Sequence, residues 1–474
     1  VAAPPTMQGA LDVDALSKTP IRAVLRMALP TMGAMLLQSL VNEIDILFFS
    51  KLPACDASTA QAALLPSLLT VWLFGGTLSA ISVGTQTYTA RRAAEKDFEG
   101  AGQVVMNALL FCVVGGVIMM GIATLSLHKI LSAQKLRPDV LETAYAYSKW
   151  RVLGIVSMAT TIGVKAFFDG IGKTHVHFVA SLVMNIFNVT FCYMFIFGKF
   201  GAPAMGAAGA GVGAFASTWI GLFIVLFYAS REQGKYRWFR LSNVNRSLIW
   251  DMVKLAAPAA LATIVMMVGF GLFNSFSATL DGGRKLDGSC GAEEPLNGAA
   301  TTNIVGIMKL IFTACLAFGA ATATFVSQSL GAKRPDLASR FGWTSVRIGL
   351  VVFGVVGLFV GVLFPQQIIS IMTHSEAVRA AMLMPLRMMG VATPLIAVAL
   401  ILSEALFGAG STKFVAAAQL VLIFGILVPL SWFLSLKTPL GLTGMWMAAV
   451  AYSVCAAAVM AQKFRGDSWK AIKL

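Results

Sequence analysis

Charge is scarce in this chain. Only 12% of its 474 residues are Asp, Glu, Lys or Arg, roughly half of what a soluble chain of this length carries. That excludes a conventional water-facing globular surface. Acid is scarcer than base, 21 residues against 36, for a net charge of +15. Cysteine is limited to six residues, with no CxxC and no histidine at ligand spacing, which argues against a metal site. HExxH, GxSxG, a paired catalytic Asp motif and a filter-like loop are all missing. An intramembrane enzyme or a channel is therefore the weak alternative, and neither catalysis nor a cofactor is expected. The first twenty residues lack an apolar core of signal-peptide type. The longest links, 230–247 and 281–299, are too short for a soluble domain.

Apolar sequence fills the space left by charge. Hydrophobic residues make up 57% of the chain, and mean hydropathy is +0.79. The apolar runs are about 20–30 residues long, enough for helices that cross a bilayer. They do not alternate in polarity as barrel strands would. Twelve helices are predicted, near 23–50, 62–90, 100–127, 139–168, 176–198, 205–229, 248–280, 300–331, 337–365, 376–407, 412–436 and 442–464.

The two halves repeat each other. Arg26-Met-Ala-Leu-Pro30 corresponds to Lys254-Leu-Ala-Ala-Pro258, and Gln86 with Ala90-Arg91-Arg92 to Gln328 with Ala332-Lys333-Arg334. Gly170-Ile-Gly172-Lys-Thr174 corresponds to Gly408-Ala-Gly410-Ser-Thr412, and Gly206-Ala-Ala-Gly209 to Gly441-Leu-Thr-Gly444. The offsets are 228, 242, 238 and 235 residues. Such ordered repetition is typical of secondary transporters. The expectation is an all-α polytopic membrane protein: two pseudo-symmetric six-helix lobes around a central cavity. The lobes are placed at 23–229 and 248–464, with a cytoplasmic N-terminal segment (1–22), an inter-lobe linker (230–247) and a C-terminal tail (465–474).

The basic excess is asymmetric. With the N-terminus in the cytoplasm, about 21 of the 36 Lys and Arg fall on the cytoplasmic side and about nine outside. That bias predicts cytoplasmic termini and attraction to anionic lipid headgroups, not nucleic-acid binding.

Ionisable residues deep in a membrane helix cost several kcal/mol unless paired, hydrated or neutralised. The first helix has the densest set: Gln38, Asn42, Glu43 and Asp45. At 100° per residue, Gln38, Asn42 and Asp45 form one polar stripe, and Glu43 points about 160° away from Asp45. Either the stripe only mediates packing, or Asp45 is a protonatable carboxylate in a hydrated cavity. Lys149 and Arg151 on the fourth helix lie at similar depth, and either could be the partner of Glu43. On the tenth helix, Glu404 reads as a structural ion pair with Lys309 or as a second cation site. Pro30 and Pro258 stand at matching places and permit bends, which could serve coupling or packing alone. Some of the 23 Met and 32 Phe could line an adaptable apolar cavity, though packing and lipid contact explain most. Cys112, Cys192, Cys315 and Cys455 read as inert packing within helices. Cys55 and Cys290 fall in outer loops and are expected to be free thiols, a disulfide being the alternative.

Pro30 followed by Gln38-x-x-x-Asn42-x-x-Asp45, with the apolar, Phe-containing stretch to Ser50, resembles the first helix of multidrug and toxic compound extrusion (MATE) transporters. Gln86 to Asp97 and Gln328 to Asp336 resemble that family's turns after helices two and eight. The Gly-x-Gly turns and the Gly-rich starts of helices six and twelve match as well. The resemblance spans nearly the whole chain. It implies cation-coupled efflux of amphipathic, often cationic, organic compounds by alternating access, with proton or Na⁺ as the coupling ion and Asp45 as the coupling site. In the DinF-like branch, the closer match, Asn185 on helix five corresponds to an Asn near that Asp. Two features depart from the family. No carboxylate accompanies Asn185, where the DinF-like branch has one, and residues 255–280 lack the acid of the NorM-like branch. The expected partners are small organic substrates and membrane lipids, for a monomer in a bacterial inner membrane. A lipid-linked oligosaccharide flippase of the same superfamily is the alternative, disfavoured by twelve helices and by Asp45.

Overall fold

The computed structural model describes residues 6–7, 10–49, 51–133, 138–281, 296–373 and 375–472. The side chains of Gln38, Asn42, Glu43 and Cys55 lie outside the described set, as does all of Cys290. The expectations for those five residues fall outside what the structure describes. Apart from a two-residue antiparallel pairing of Thr6–Met7 with Ala10–Leu11, the described architecture is helical.

Twelve helical spans follow one another. They are α1 (Pro20–Phe49), α2 (Ala54–Ser79 and Ile81–Ala94), α3 (Phe98–Ala133), α4 (Pro138–Leu153 and Ile155–Gly170), α5 (Thr174–Phe197) and α6 (Ala207–Arg231). The second six are α7 (Arg246–Leu280), α8 (Leu296–Gly331), α9 (Pro335–Leu358, ending in a π turn at Phe359–Leu363), α10 (Glu376–Gly408), α11 (Thr412–Leu436, with a π turn at Ile423–Leu427) and α12 (Gly441–Arg465). Eleven are long and apolar enough to cross a membrane singly, and α4, bent by 49° at its break, makes the twelfth. The longest unbroken helices, α3 and α8 at 36 residues each, extend about 54 Å at 1.5 Å per residue, well beyond a hydrocarbon core of about 30 Å.

The repeat read from sequence recurs in the backbone. Lys96 after α2 and Lys333 after α8 both take positive φ, 65° and 59°. The next residues close the same turn, with Asp97 N donating to Arg92 O and Arg334 N to Ser329 O. Gly172 and Gly410 have φ of 79° and 88°, a left-handed region in which only glycine is unstrained. Beyond them, Lys173 N donates to Phe168 O and Ser411 N to Leu406 O, at 2.8 and 2.9 Å. Duplicate conformations at a near-constant offset are strong evidence of duplication.

The chain divides into two compact units. One comprises Gly33–Ala260 with the N-terminal residues to Asp12, and the other comprises Val13–Met32 with Leu261–Leu474. The division differs from the expected lobe limits at two places. The first part of α1 belongs with the second unit, and the first part of α7 with the first. Each change of unit comes two residues after a proline inside the helix, Pro30 and Pro258. Proline frees one i→i−4 carbonyl and lets the helix leave one packing environment for another.

The 230–247 segment is no loose linker. It holds a short helix, Gln233–Tyr236, and a 3-10 turn, Leu241–Asn243. Tyr236 is buried between Phe98 and Phe167, with ring centroids at 5.8 and 5.1 Å. Trp238 donates its indole N–H to Ala229 O at 2.8 Å. Buried Asn107 of α3 closes the strap: its Nδ2 donates to Asn243 O, and its Oδ1 accepts from Asn245 N, both at 2.8 Å.

Candidate functional site

Asp45 is carried into the first unit by the second half of α1. It is buried, at 2% exposure, and its Oδ1 has no hydrogen-bond partner among the described residues. The groups that act on its carboxyl are the guanidinium of Arg151 on α4 and the thiol of Cys192 on α5. Arg151 Nη1 donates to the Tyr147 hydroxyl at 2.6 Å, one helical turn back. Tyr147 is itself buried, packed edge-on against Phe49 of α1 at 6.5 Å. The Cys192 thiol donates to Asn188 Oδ1 at 3.7 Å, and Asn188 Nδ2 donates to Ser217 Oγ of α6 at 3.0 Å. Asn185, one turn before Asn188, is buried with its Nδ2 unpartnered.

Glycines on α6 let this assembly close. A Cβ on Gly211 would lie 2.5 Å from Tyr147 O, and one on Gly213 would lie 2.8 Å from Cys192 N. Those distances permit no side chain. Small residues that allow backbones to touch are the usual means of packing helices in lipid. The Gly-rich start of α6 therefore fixes α4 and α5 against α6, and with them Arg151 and Cys192 beside Asp45.

Several sequence expectations change here. Arg151 acts by charge on Asp45, and Lys149 is exposed; the Glu43 side chain, the partner the sequence offered to either, lies outside the described set. Cys192, read from sequence as inert packing, belongs to the surroundings of Asp45. Tyr147 was missed, although its place four residues before Arg151 on the same helix face was the available signal. The structural pair of Glu404 with Lys309 is not found among the described residues. Among the described residues no ion pair joins them. Glu404 instead lies over Gly319 of α8, where a Cβ would meet its Cβ at 2.8 Å. Gly319 is ten residues from Lys309, about 15 Å along a helix.

At the repeat position in the second unit, no counterpart of the acid is found among the described residues. At the Pro30-to-Pro258 offset, Asp45 corresponds to Phe273, a buried ring set against Trp446 at 5.2 Å. A polar α11–α12 link survives there: the Tyr452 hydroxyl donates to Gln419 Oε1 at 2.8 Å.

Comparison with known proteins agrees with this architecture. The family model described as MatE matches residues 30–194 and 297–433, one stretch in each half. A probable multidrug resistance protein NorM of Thermotoga maritima is 23% identical over 458 residues, covering 95% of this chain and 93% of that protein. A NorM of Caulobacter vibrioides is 24% identical over 392 residues, covering 82% and 80%. Among solved structures, an outward-facing multidrug resistance MATE family transporter of the MOP superfamily superposes with a TM-score of 0.85 at 20% identity, covering 97% of this chain and 98% of its own. A MOP superfamily transporter from Pyrococcus furiosus, described as having a binding pocket of reverse polarity, gives the same values. Twelve apolar spans and relatives of this kind make the protein an integral membrane protein. With a match to both halves that covers more than half of its length, the chain belongs to the MatE family.

Proposed function

We propose that this protein is a proton-coupled antiporter that exports amphipathic, often cationic, organic compounds by alternating access, with Asp45 as the coupling group. The observation that carries the reading is the buried Asp45 carboxylate, whose Oδ1 has no hydrogen-bond partner among the described residues, with Arg151 acting on it by charge. When Asp45 is ionised, the pair is neutral and the site tolerates a cationic guest. When Asp45 takes up a proton, Arg151 keeps its charge and the site becomes net positive. In a medium of low dielectric constant that change repels a cation by several kcal/mol. Proton entry and drug release are thereby linked without any direct contact between them. The proton is favoured over Na⁺ as the coupling ion. A hard cation needs several oxygen ligands, and the described neighbours of Asp45 are a cation and a thiol.

The charge asymmetry of the loops supports cytoplasmic termini, and the NorM relatives support multidrug export from a bacterial inner membrane. The test is reconstitution into vesicles with ΔpH and ΔpNa imposed separately and ethidium as the drug. Uphill transport is expected with ΔpH alone. Asp45→Asn should reach wild-type yield yet transport nothing uphill. Uphill transport by the Asn variant, or drive by ΔpNa alone, overturns the proposal.

A further inference from the structure

A groove in the second unit has no role in this reading. It has a volume of about 490 Å³ and lies between the start of α1, at Pro20 and Ile21, and the first three turns of α9. Its α9 wall carries Arg340, Trp343, Thr344 and Arg347. Positions 340, 343, 344 and 347 follow i, i+3, i+4, i+7 and so share one face of the helix. Arg340 and Arg347 are exposed, and among the described residues neither forms an ion pair. The single carboxylate in the lining, Asp336, is held by the Arg334 fork at 3.2 and 3.1 Å. It does not neutralise the two open arginines. Trp343 is fixed edge-on against Phe464 at 5.8 Å, with the Arg465 guanidinium 5.8 Å from its ring centroid.

Just beyond the arginines, the outer side of α9 turns apolar. Leu350, Val351, Val355 and Leu358 are 40%, 67%, 49% and 47% exposed, as residues that face acyl chains are. Ile21 on the opposite wall is 58% exposed. The groove thus has a cationic, tryptophan-walled mouth at the end of an apolar helix face. A tryptophan there suits the headgroup level of a bilayer. Arginines spread along a helix end can simply snorkel to water. Here, however, two unpaired guanidinium groups one heptad apart share a concave site with a hydroxyl and a fixed indole. Guanidinium is the group best shaped to bind phosphate oxygens in bidentate fashion.

We propose that this groove binds the phosphodiester headgroup of an anionic phospholipid, with Arg340 and Arg347 on the phosphate and the acyl chains along the apolar face of α9. Basic pockets between membrane helices bind such headgroups through the same chemistry.

The test uses the full-length protein, delipidated in a neutral detergent and titrated with dioleoyl phosphatidylglycerol or dioleoyl phosphatidylcholine, with bound lipid counted by native mass spectrometry. At least fivefold tighter retention of phosphatidylglycerol is expected. R340Q/R347Q should lose that preference, whereas R240Q, which removes an exposed arginine elsewhere, should keep it. Should the double variant not purify, R347Q alone is expected to reduce the preference at least twofold. Millimolar inorganic phosphate should not displace the lipid. Equal retention of the two lipids by the wild type overturns the proposal. So does a preference that survives in the variant, or displacement by inorganic phosphate. None of these outcomes depends on Asp45 or on coupling.

Discussion

Arg151 serves two neighbours, the Tyr147 hydroxyl by a 2.6 Å hydrogen bond and the Asp45 carboxyl by charge. Removing one member of a buried pair leaves the other uncompensated, which typically costs about 3–5 kcal/mol. Arg151→Gln should therefore lower the thermal midpoint in detergent markedly, because Asp45 is left without its cation. Asp45→Asn should cost less, since Arg151 keeps Tyr147. The double variant Asp45→Asn/Arg151→Gln should be more stable than the sum of the single losses implies. Additive losses in that cycle would show that the two residues do not interact. Sequence could reach only part of this arrangement. Counting residues from the outer ends of the helices gives depth, which is why Arg151 was placed level with Asp45. Depth does not give the direction in which a helix faces, so Glu43 was as eligible a partner as Asp45. Lys309 and Glu404 fail for the complementary reason. Opposite charge suggested a pair, but the side chain of Glu404 comes down on Gly319, far along the helix from Lys309.

At the scale of an element, the strap at 230–247 is the part least visible beforehand. Its composition is basic and polar, so it read as a linker. Its structural content comes from Tyr236, Trp238 and the Asn107 bonds, all of which depend on partners more than a hundred residues away or on local burial. Burial, reinforced by the Glu232 carboxylate, pushes the Tyr236 hydroxyl well above the ordinary tyrosine range. A raised folded-state pKa has a definite consequence for linkage. Below the unfolded value of about 10, both states hold the proton and Tyr236 adds no pH slope. Above it, the unfolded chain loses the proton first, so the stability of the fold falls as pH rises towards the folded value. Between pH 9 and 12, the wild-type thermal midpoint should fall faster than that of Tyr236→Phe, which retains the ring and lacks the titrating group. Parallel slopes for the two proteins would remove Tyr236 from the alkaline response. Asn107→Ala should separately cost about 1–3 kcal/mol, because it strands two strap backbone groups. Its expected signature is earlier proteolytic cleavage near 240.

For the whole molecule, duplication was the most legible property. Long apolar runs give helices by length alone. The Gly-x-Gly pairs gave turns whose φ values of 79° and 88° agree in the two halves. Gly172→Ala and Gly410→Ala should each cost about 1–2 kcal/mol, the left-handed penalty for a residue with a Cβ, and the two losses should be similar. Unequal losses would mean that the turns are alike in shape only. The change of unit within α1 and α7 was not legible. Proline announces that a helix can bend, not which neighbours it will pack against on either side. Duplication of the fold also did not extend to its chemistry. The first unit has Asp45 with Arg151, whereas the second has Phe273 packed on Trp446 at the corresponding place. The remaining acid of interest, Glu404, is half-buried over Gly319 and forms no ion pair among the described residues. The proposed mechanism then uses one coupling carboxylate, Asp45. Drug efflux should then depend on external proton concentration with a Hill slope near one. Glu404→Gln should leave that slope and the transport rate within about twofold of wild type. Phe273→Asp should not raise the slope, and it should destabilise the second unit by burying an uncompensated carboxylate. A wild-type slope near two that falls to one in Glu404→Gln would place a second coupling site in the second unit.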